Sequence, residues 1–322
     1  MVDRQLMLLL VLIAGNVCGL VSPATGKLLA PSLTPLVMMV IFMASLKMRL
    51  TDMLADLRHP KQLMVGLLLV LFVVPLLGSF VPLLLHLEPL TYIGMLLYLA
   101  SPAAAATAFY AEVMHGKASL GLNISALSTL LCIVTIPAAL LLFAGTVVQM
   151  DAVNVILTLL KIIVIPFVAA MAVLRFLPST SDRLKSYSFP ISLVTLFLIY
   201  FAFLGAGYEE IVGNIGTFTT VTLILTGLTM IIFVIGYSVS RAIRADGPES
   251  ISMALGTGVK NGSIGLLVAL ANFGPAAIPP VIAGGMMSTF LMFFFGEIVN
   301  RTSLSIRVKS ARRPAPKSSL SA

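Results

Sequence analysis

Gly256-Thr257-Gly258-Val259-Lys260-Asn261-Gly262-Ser263-Ile264-Gly265 is the stretch whose reading decides the fold of this chain. It sits inside an apolar run, 251–271, of the roughly 20 residues that a membrane-crossing helix requires. Glycines at 256, 258, 262 and 265, with Thr, Lys, Asn and Ser among them, make a poor continuous helix. The run is therefore predicted to break near its middle. A second run, 90–111, is interrupted by Ala100-Ser101-Pro102-Ala103-Ala104-Ala105-Ala106-Thr107-Ala108. Pro102 removes a backbone donor, and the small residues allow close helix approach. Unwound backbone at mid-membrane depth is stable only where it faces protein or a watery cavity, so the two interruptions are predicted to cross and line a site. The plainer alternative is a proline kink and a glycine packing seam.

The rest of the chain supports a membrane setting. Of 322 residues, 59% are hydrophobic and 10% charged, against roughly 45–50% and about 25% in soluble domains. A water-soluble fold is excluded. Ten apolar runs can be read, at about 6–22, 28–46, 62–85, 90–111, 119–146, 153–174, 188–206, 217–240, 251–271 and 277–299. The first could pass for a signal peptide, but Asn16-Val17-Cys18-Gly19 offers no small-residue cleavage site. Lys and Arg fall in alternate segments: Arg4; Lys47 to Lys61; Lys117; Arg175 to Lys185; Arg241 and Arg244; and the tail from Arg301. Lys27, Lys161 and Lys260 alone depart from that pattern. By the positive-inside rule this predicts ten spans with both termini cytoplasmic. The net charge of +8 is thus topology, not a nucleic-acid footprint.

The expected fold is an all-α membrane protein with ten transmembrane helices as two inverted five-helix repeats, 5–146 and 153–300, within a domain at 1–309. Its fourth and ninth helices are discontinuous and cross. The segment 310–322, with Arg312-Arg313-Pro314-Ala315-Pro316-Lys317, reads as a disordered basic cytoplasmic tail.

Charge placement narrows the chemistry. Every Asp and Glu falls in a terminus, loop or helix end, which argues against an intramembrane carboxylate relay. Lys260 stands out, because an ammonium near the bilayer centre costs several kcal/mol unless paired or hydrated. Its expected partners are carbonyls of the broken helices, hydroxyls such as Thr107, Ser128 and Thr129, or an anionic ligand. Lys161, nearer a helix start, is expected to snorkel. Cys18 and Cys132 read as packed free thiols. Gly256-Thr257-Gly258 lacks the spacing and preceding strand of a dinucleotide fingerprint. No acid pair, Ser/His pair or zinc motif suits an intramembrane hydrolase. No enzyme activity, cofactor or resident metal is expected.

With these residues in view, the chain resembles the bile acid:sodium symporter family, over roughly residues 5–300. The likeness rests on Met38-Met39-Val40-Ile41-Phe42-Met43 through Leu50-Thr51-Asp52 and His59-Pro60-Lys61, and on Ser101-Pro102. Ser128-Thr129, Lys161 with Pro166, and Gly258-Val259-Lys260-Asn261 add to it. The resemblance implies a panel domain, a core domain in which helices 4 and 9 cross, and sodium-coupled alternating access. Sodium-coupled members carry a Ser-Asn pair in helix 4, a glutamine in helix 3 and a Glu-x-Gly-x-Gln-Asn stretch in helix 9. This sequence has Thr107 and Ala108, Val70, and Gly256 with Lys260, keeping only Gly258 and Asn261. Sodium needs several hard oxygen ligands, so its sites look degraded at Val70, Ala108, Gly256 and Lys260. Lys260 is expected to act as a built-in cation in their place, and its own proton is a candidate for exchange.

The function expected is secondary transport of small organic anions, not coupled to sodium at the usual sites. Ser101, Pro102, Thr107, Ala108, Ser128, Thr129, Gly256, Thr257, Gly258, Lys260, Asn261 and Ser263 form the candidate crossover site. The alternatives are a non-transporting membrane sensor or assembly protein, and a sodium symporter with a rebuilt ion site. The partners expected are an organic anion and the lipid bilayer, in a bacterial inner membrane.

Overall fold

The computed structural model describes residues 2–47, 60–81, 85, 87–145 and 151–311, and among these no strand occurs. Helices α1 (Val2–Val21), α2 (Pro23–Leu46) and α3 (Pro60–Ser79) account for most of the first three apolar runs. The fourth run is divided into α4 (Pro89–Ala100) and α5 (Thr107–Val113). Then come α6 (Ala118–Ala144), α7 (Ala152–Phe176), α8 (Pro178–Gly213) and α9 (Ile215–Ala242). The ninth run is divided into α10 (Gly247–Gly258) and α11 (Gly262–Asn272), and α12 (Ile278–Ala311) closes the chain. Among the described residues, seven helical segments are long and apolar enough to cross a membrane. The first, fourth and ninth runs contribute shorter apolar helices, Leu9–Val21, Pro89–Ala100 and Gly262–Asn272. In the latter two the breaks read from the sequence are the cause.

Two boundaries differ from expectation. The seventh run, read as 188–206, belongs to the 36-residue α8, because Pro178 at its first turn starts a helix that the polar segment 179–187 tolerates. The last helix continues to Ala311, so Ser310 and Ala311 are helical, and the remainder of the expected tail lies outside the described residues. So do Leu50, Thr51, Asp52 and His59.

Local chemistry fixes several ends. Asp151 caps α7 by accepting from Asn154 N at 3.1 Å. At the start of α10, Asp246 Oδ1 accepts from Glu249 N at 2.7 Å while Glu249 Oε2 accepts from Asp246 N at 3.3 Å, a reciprocal capping box. The same Glu249 carboxylate accepts from Gln62 on α3 and Lys117 before α6. Asp246→Ala is expected to lower stability by about 1 kcal/mol, read as a lower thermal midpoint of the purified protein, with a smaller loss for Asp246→Asn.

The helices pack as two groups. In one, α8 lies along α1 and α2, and the second half of α7 rests on α2. Backbone contact is close there: a Cβ on Gly205 of α8 would lie 2.5 Å from Gly26 Cα of α2. In the other group, α4, α5, α6, α9, α10, α11 and α12 surround the two interruptions, with α3 against α4, α6 and α10. The first half of α7 touches α6 and α11, so this helix belongs to both groups.

Both α3 and α7 contain a widened turn with π-type hydrogen bonding, at Leu69–Val73 and Leu160–Val164. Each is followed at the second residue by a proline, Pro75 or Pro166. Lys161, in the α7 turn, is exposed, and its side chain makes no ion pair among the described residues.

Candidate functional site

The two interruptions meet. Ala103 and Lys260 form an isolated antiparallel bridge, in which Ala104 N donates to Val259 O and Asn261 N donates to Pro102 O, both at 2.8 Å. Ala103 and Lys260 are therefore the directly opposed pair that exchanges no bond, the arrangement that brings side chains closest. Two short extended segments thus satisfy part of each other's backbone where helix is absent, which buried backbone requires.

The remaining groups of Ala103 are met from α6. Ala103 N donates to Ser128 Oγ at 3.1 Å, and Ser125 Oγ donates to Ala103 O at 3.2 Å. Ser128 is a site residue expected from the sequence. Ser125 is not among those expected, although its place three residues earlier puts it on the same helix face. Thr129, which was expected at the site, turns back on its own helix and donates to Ser125 O at 2.8 Å. Thr257 likewise donates to Met253 O, and Ser101 Oγ to Leu97 O at 2.7 Å. These hydroxyls close helical turns.

Lys260 is 5% exposed, and its Nζ donates to Val70 O at 2.9 Å. The partner is a backbone carbonyl, but it lies on α3 and not on the broken helices where it is expected from the sequence. Neither Thr107, Ser128 nor Thr129 is hydrogen-bonded to Lys260. Val70 was singled out for its side chain, whereas its backbone oxygen makes the contact. Thr107 begins α5, fully buried, and its hydroxyl has no partner among the described residues. Ala108 follows it, close to the backbone of Gly121.

On the other side of the crossing, Asn261 precedes α11 and Ser263 stands in its first turn, both part-buried. A Cβ on Gly256 would meet Ile124 at 3.0 Å, and one on Gly258 would meet the Phe233 ring at 2.6 Å. Both glycines serve packing. Gly265 lets α11 lie on α4, since a Cβ there would lie 2.6 Å from Ser101 Oγ and 3.0 Å from Leu97 O.

A separate cavity of about 170 Å³ lies between α1, α8 and α12, lined by Leu9, Leu12, Asn16, Tyr200, Met286 and Phe290 among others. Its wall is nearly all apolar. Asn16 Nδ2 donates to Leu12 O, leaving Oδ1 buried without a donor among the described residues.

Several apolar membrane-length helices, with two broken helices joined at a buried lysine, define a polytopic helical membrane protein. Over residues 34–214, more than half its length, the sequence matches the sodium bile acid symporter family. The chain belongs to that family of membrane transporters. It is 25% identical over 294 residues to the probable sodium/metabolite cotransporter BASS1, chloroplastic, of Arabidopsis thaliana, covering 90% of this chain and 72% of that protein. The uncharacterized sodium-dependent transporter YocS of Bacillus subtilis is 21% identical over 282 residues, covering 85% and 87%. The uncharacterized protein YbaS of the same species is 24% identical over 282 residues, covering 84% and 90%.

Proposed function

We propose that the protein is a secondary transporter of small organic anions, working by alternating access without sodium at the crossing, with Lys260 as its fixed cation. The observation that carries this reading is the Lys260 amine inside the crossing, bonded to Val70 O. An ammonium has three donors, and Val70 accepts one. The other donors, the first turn of α11, which has no side-chain cap, and the Thr107 hydroxyl, unpartnered among the described residues, suit an anionic group. The positions where sodium-coupled relatives supply carboxylate and amide oxygens hold Gly256, Val70 and Lys260 here.

The wider arrangement proposed is ten spans in two inverted repeats, 5–146 and 153–300, within a transporter domain at 1–309, with both termini cytoplasmic in a bacterial inner membrane. Helix covers all or part of each of the ten apolar runs, and the alternation of basic loops supports the orientation. No enzymatic step, resident metal or cofactor enters this mechanism.

A second reading, sodium coupling through a rebuilt ion site, is favoured by the names of the relatives, a probable sodium/metabolite cotransporter and a sodium-dependent transporter. Uptake of an organic-anion panel by the purified protein in liposomes, with sodium against potassium at two pH values, separates the two. Equal uptake in both salts, lost in Lys260→Ala, is expected. A sodium requirement in the natural protein would overturn the proposal. So would a Lys260→Gln variant that transports normally without acquiring sodium dependence.

A further inference from the structure

Lys260 bonds a carbonyl that α3 cannot use. In a regular α-helix Val70 O would accept from the N–H of residue 74. In the widened turn Val74 N–H is bonded to Leu69 O instead. The donor next in line for Val70 would be residue 75, which is proline and has no N–H. Val70 O is left over within its own helix. Its partner comes from far along the chain, Lys260 Nζ at 2.9 Å, and both residues are buried, Val70 at 0% and Lys260 at 5% exposure. A buried carbonyl without a donor is destabilising, so turn, proline and lysine form one unit.

We propose that the widened turn of α3 and Pro75 build a binding site for a primary ammonium ion, which the chain fills with its own Lys260. A free alkylammonium of matching size fills it when the lysine is shortened. The proposal deepens the reading of Lys260 as the fixed cation and rests on it, while its test reads binding and stability rather than transport. Val70 O is the one acceptor hydrogen-bonded to Nζ among the described residues. A single carbonyl suits an N–H donor, whereas sodium wants several oxygens and a quaternary ammonium has no N–H to give. Truncation of Lys260 to alanine removes a segment equivalent to n-propylammonium. Pro75 is a positioning residue, acting by withholding a competing donor.

Thermal unfolding of the purified full-length protein in detergent provides the test. Lys260→Ala is expected to melt below the natural protein and to recover saturably with n-propylammonium, but not with tetramethylammonium or sodium at equal concentration. The natural protein should not respond. Pro75→Ala should reverse sign with background, lowering the melting temperature when Lys260 is present and raising it in Lys260→Ala, because the new N–H then serves the orphaned carbonyl. The propylammonium response should weaken in the double variant.

The site is refuted by an equal response of the natural protein and Lys260→Ala, by equal recovery with sodium, or by a Pro75→Ala effect of the same sign in both backgrounds. If Lys260→Ala does not fold even with n-propylammonium, Lys260→Met keeps an unbranched chain without the charge. Pro75→Ala must then raise its melting temperature, and a fall refutes the site. Propylammonium recovery of stability in a protein whose uptake requires sodium would uphold the site and overturn the transport reading. Sodium-independent uptake with no propylammonium response would do the opposite.

Discussion

Gly265→Leu is expected to yield no monodisperse protein in size-exclusion chromatography, and Gly265→Ala to yield folded protein with a clearly lowered thermal midpoint. A Cβ at this position meets two obstacles that cannot turn away. Ser101 Oγ, 2.6 Å off, is held by its own bond to Leu97 O, and Leu97 O itself is backbone 3.0 Å off. Extra atoms in a packed interior cost about 1–3 kcal/mol through forced shifts, and leucine adds three more carbons beyond the first. Any relief must move α11 away from α4, which would pull at the Asn261–Pro102 and Ala104–Val259 bonds of the crossing. Gly285→Ala is the control, because nothing lies within 4 Å of its added Cβ, and it should melt close to the natural protein.

The second large effect is expected at the serines of α6. Ser128→Ala leaves the Ala103 N–H unpaired and Ser125→Ala leaves the Ala103 carbonyl unpaired, both in a residue with no solvent exposure. Each orphaned group costs about 1–3 kcal/mol. Because the two hydroxyls serve one residue, and Ser128 Oγ also donates to Ser125 O, the double variant should deviate from the sum of the singles. Thr129→Ala removes only a bond within its own helix and should change the midpoint far less. Equal losses for Ser128→Ala and Thr129→Ala would show that α6 does not anchor the extended segment.

The crossing was legible because breakage leaves strong marks: a proline among alanines, and repeated glycines in an apolar run. The lysine was legible for a similar reason, being a charge where charge is expensive. Its partner was not. Val70 sits in a run of Leu, Val and Phe that reads only as hydrophobic, and a freed carbonyl has no side-chain signature; it arises from the widened turn and Pro75 together. Thr129 and Ser125 show the same limit from the other direction. A hydroxyl on a helix can always bond the carbonyl one turn back, so its type does not tell which of two neighbours faces the site. Ser125 could have been found by asking which residue lies one turn from Ser128. The length of α8 escaped because its first turns are polar, and polarity marks the exit from a membrane rather than the end of a helix.

The helix α7 has a mechanical consequence. Its first half is fastened to α6 and α11, and its second half to α2, with the widened turn and Pro166 at the junction. A helix transmits bending through its regular ladder of hydrogen bonds, and a proline and a widened turn remove rungs from that ladder. Its compliance is therefore concentrated at one joint, Leu160 to Pro166. Any tilt of one helical group against the other would fall on that joint, and α7 would stay docked to both groups without peeling from either.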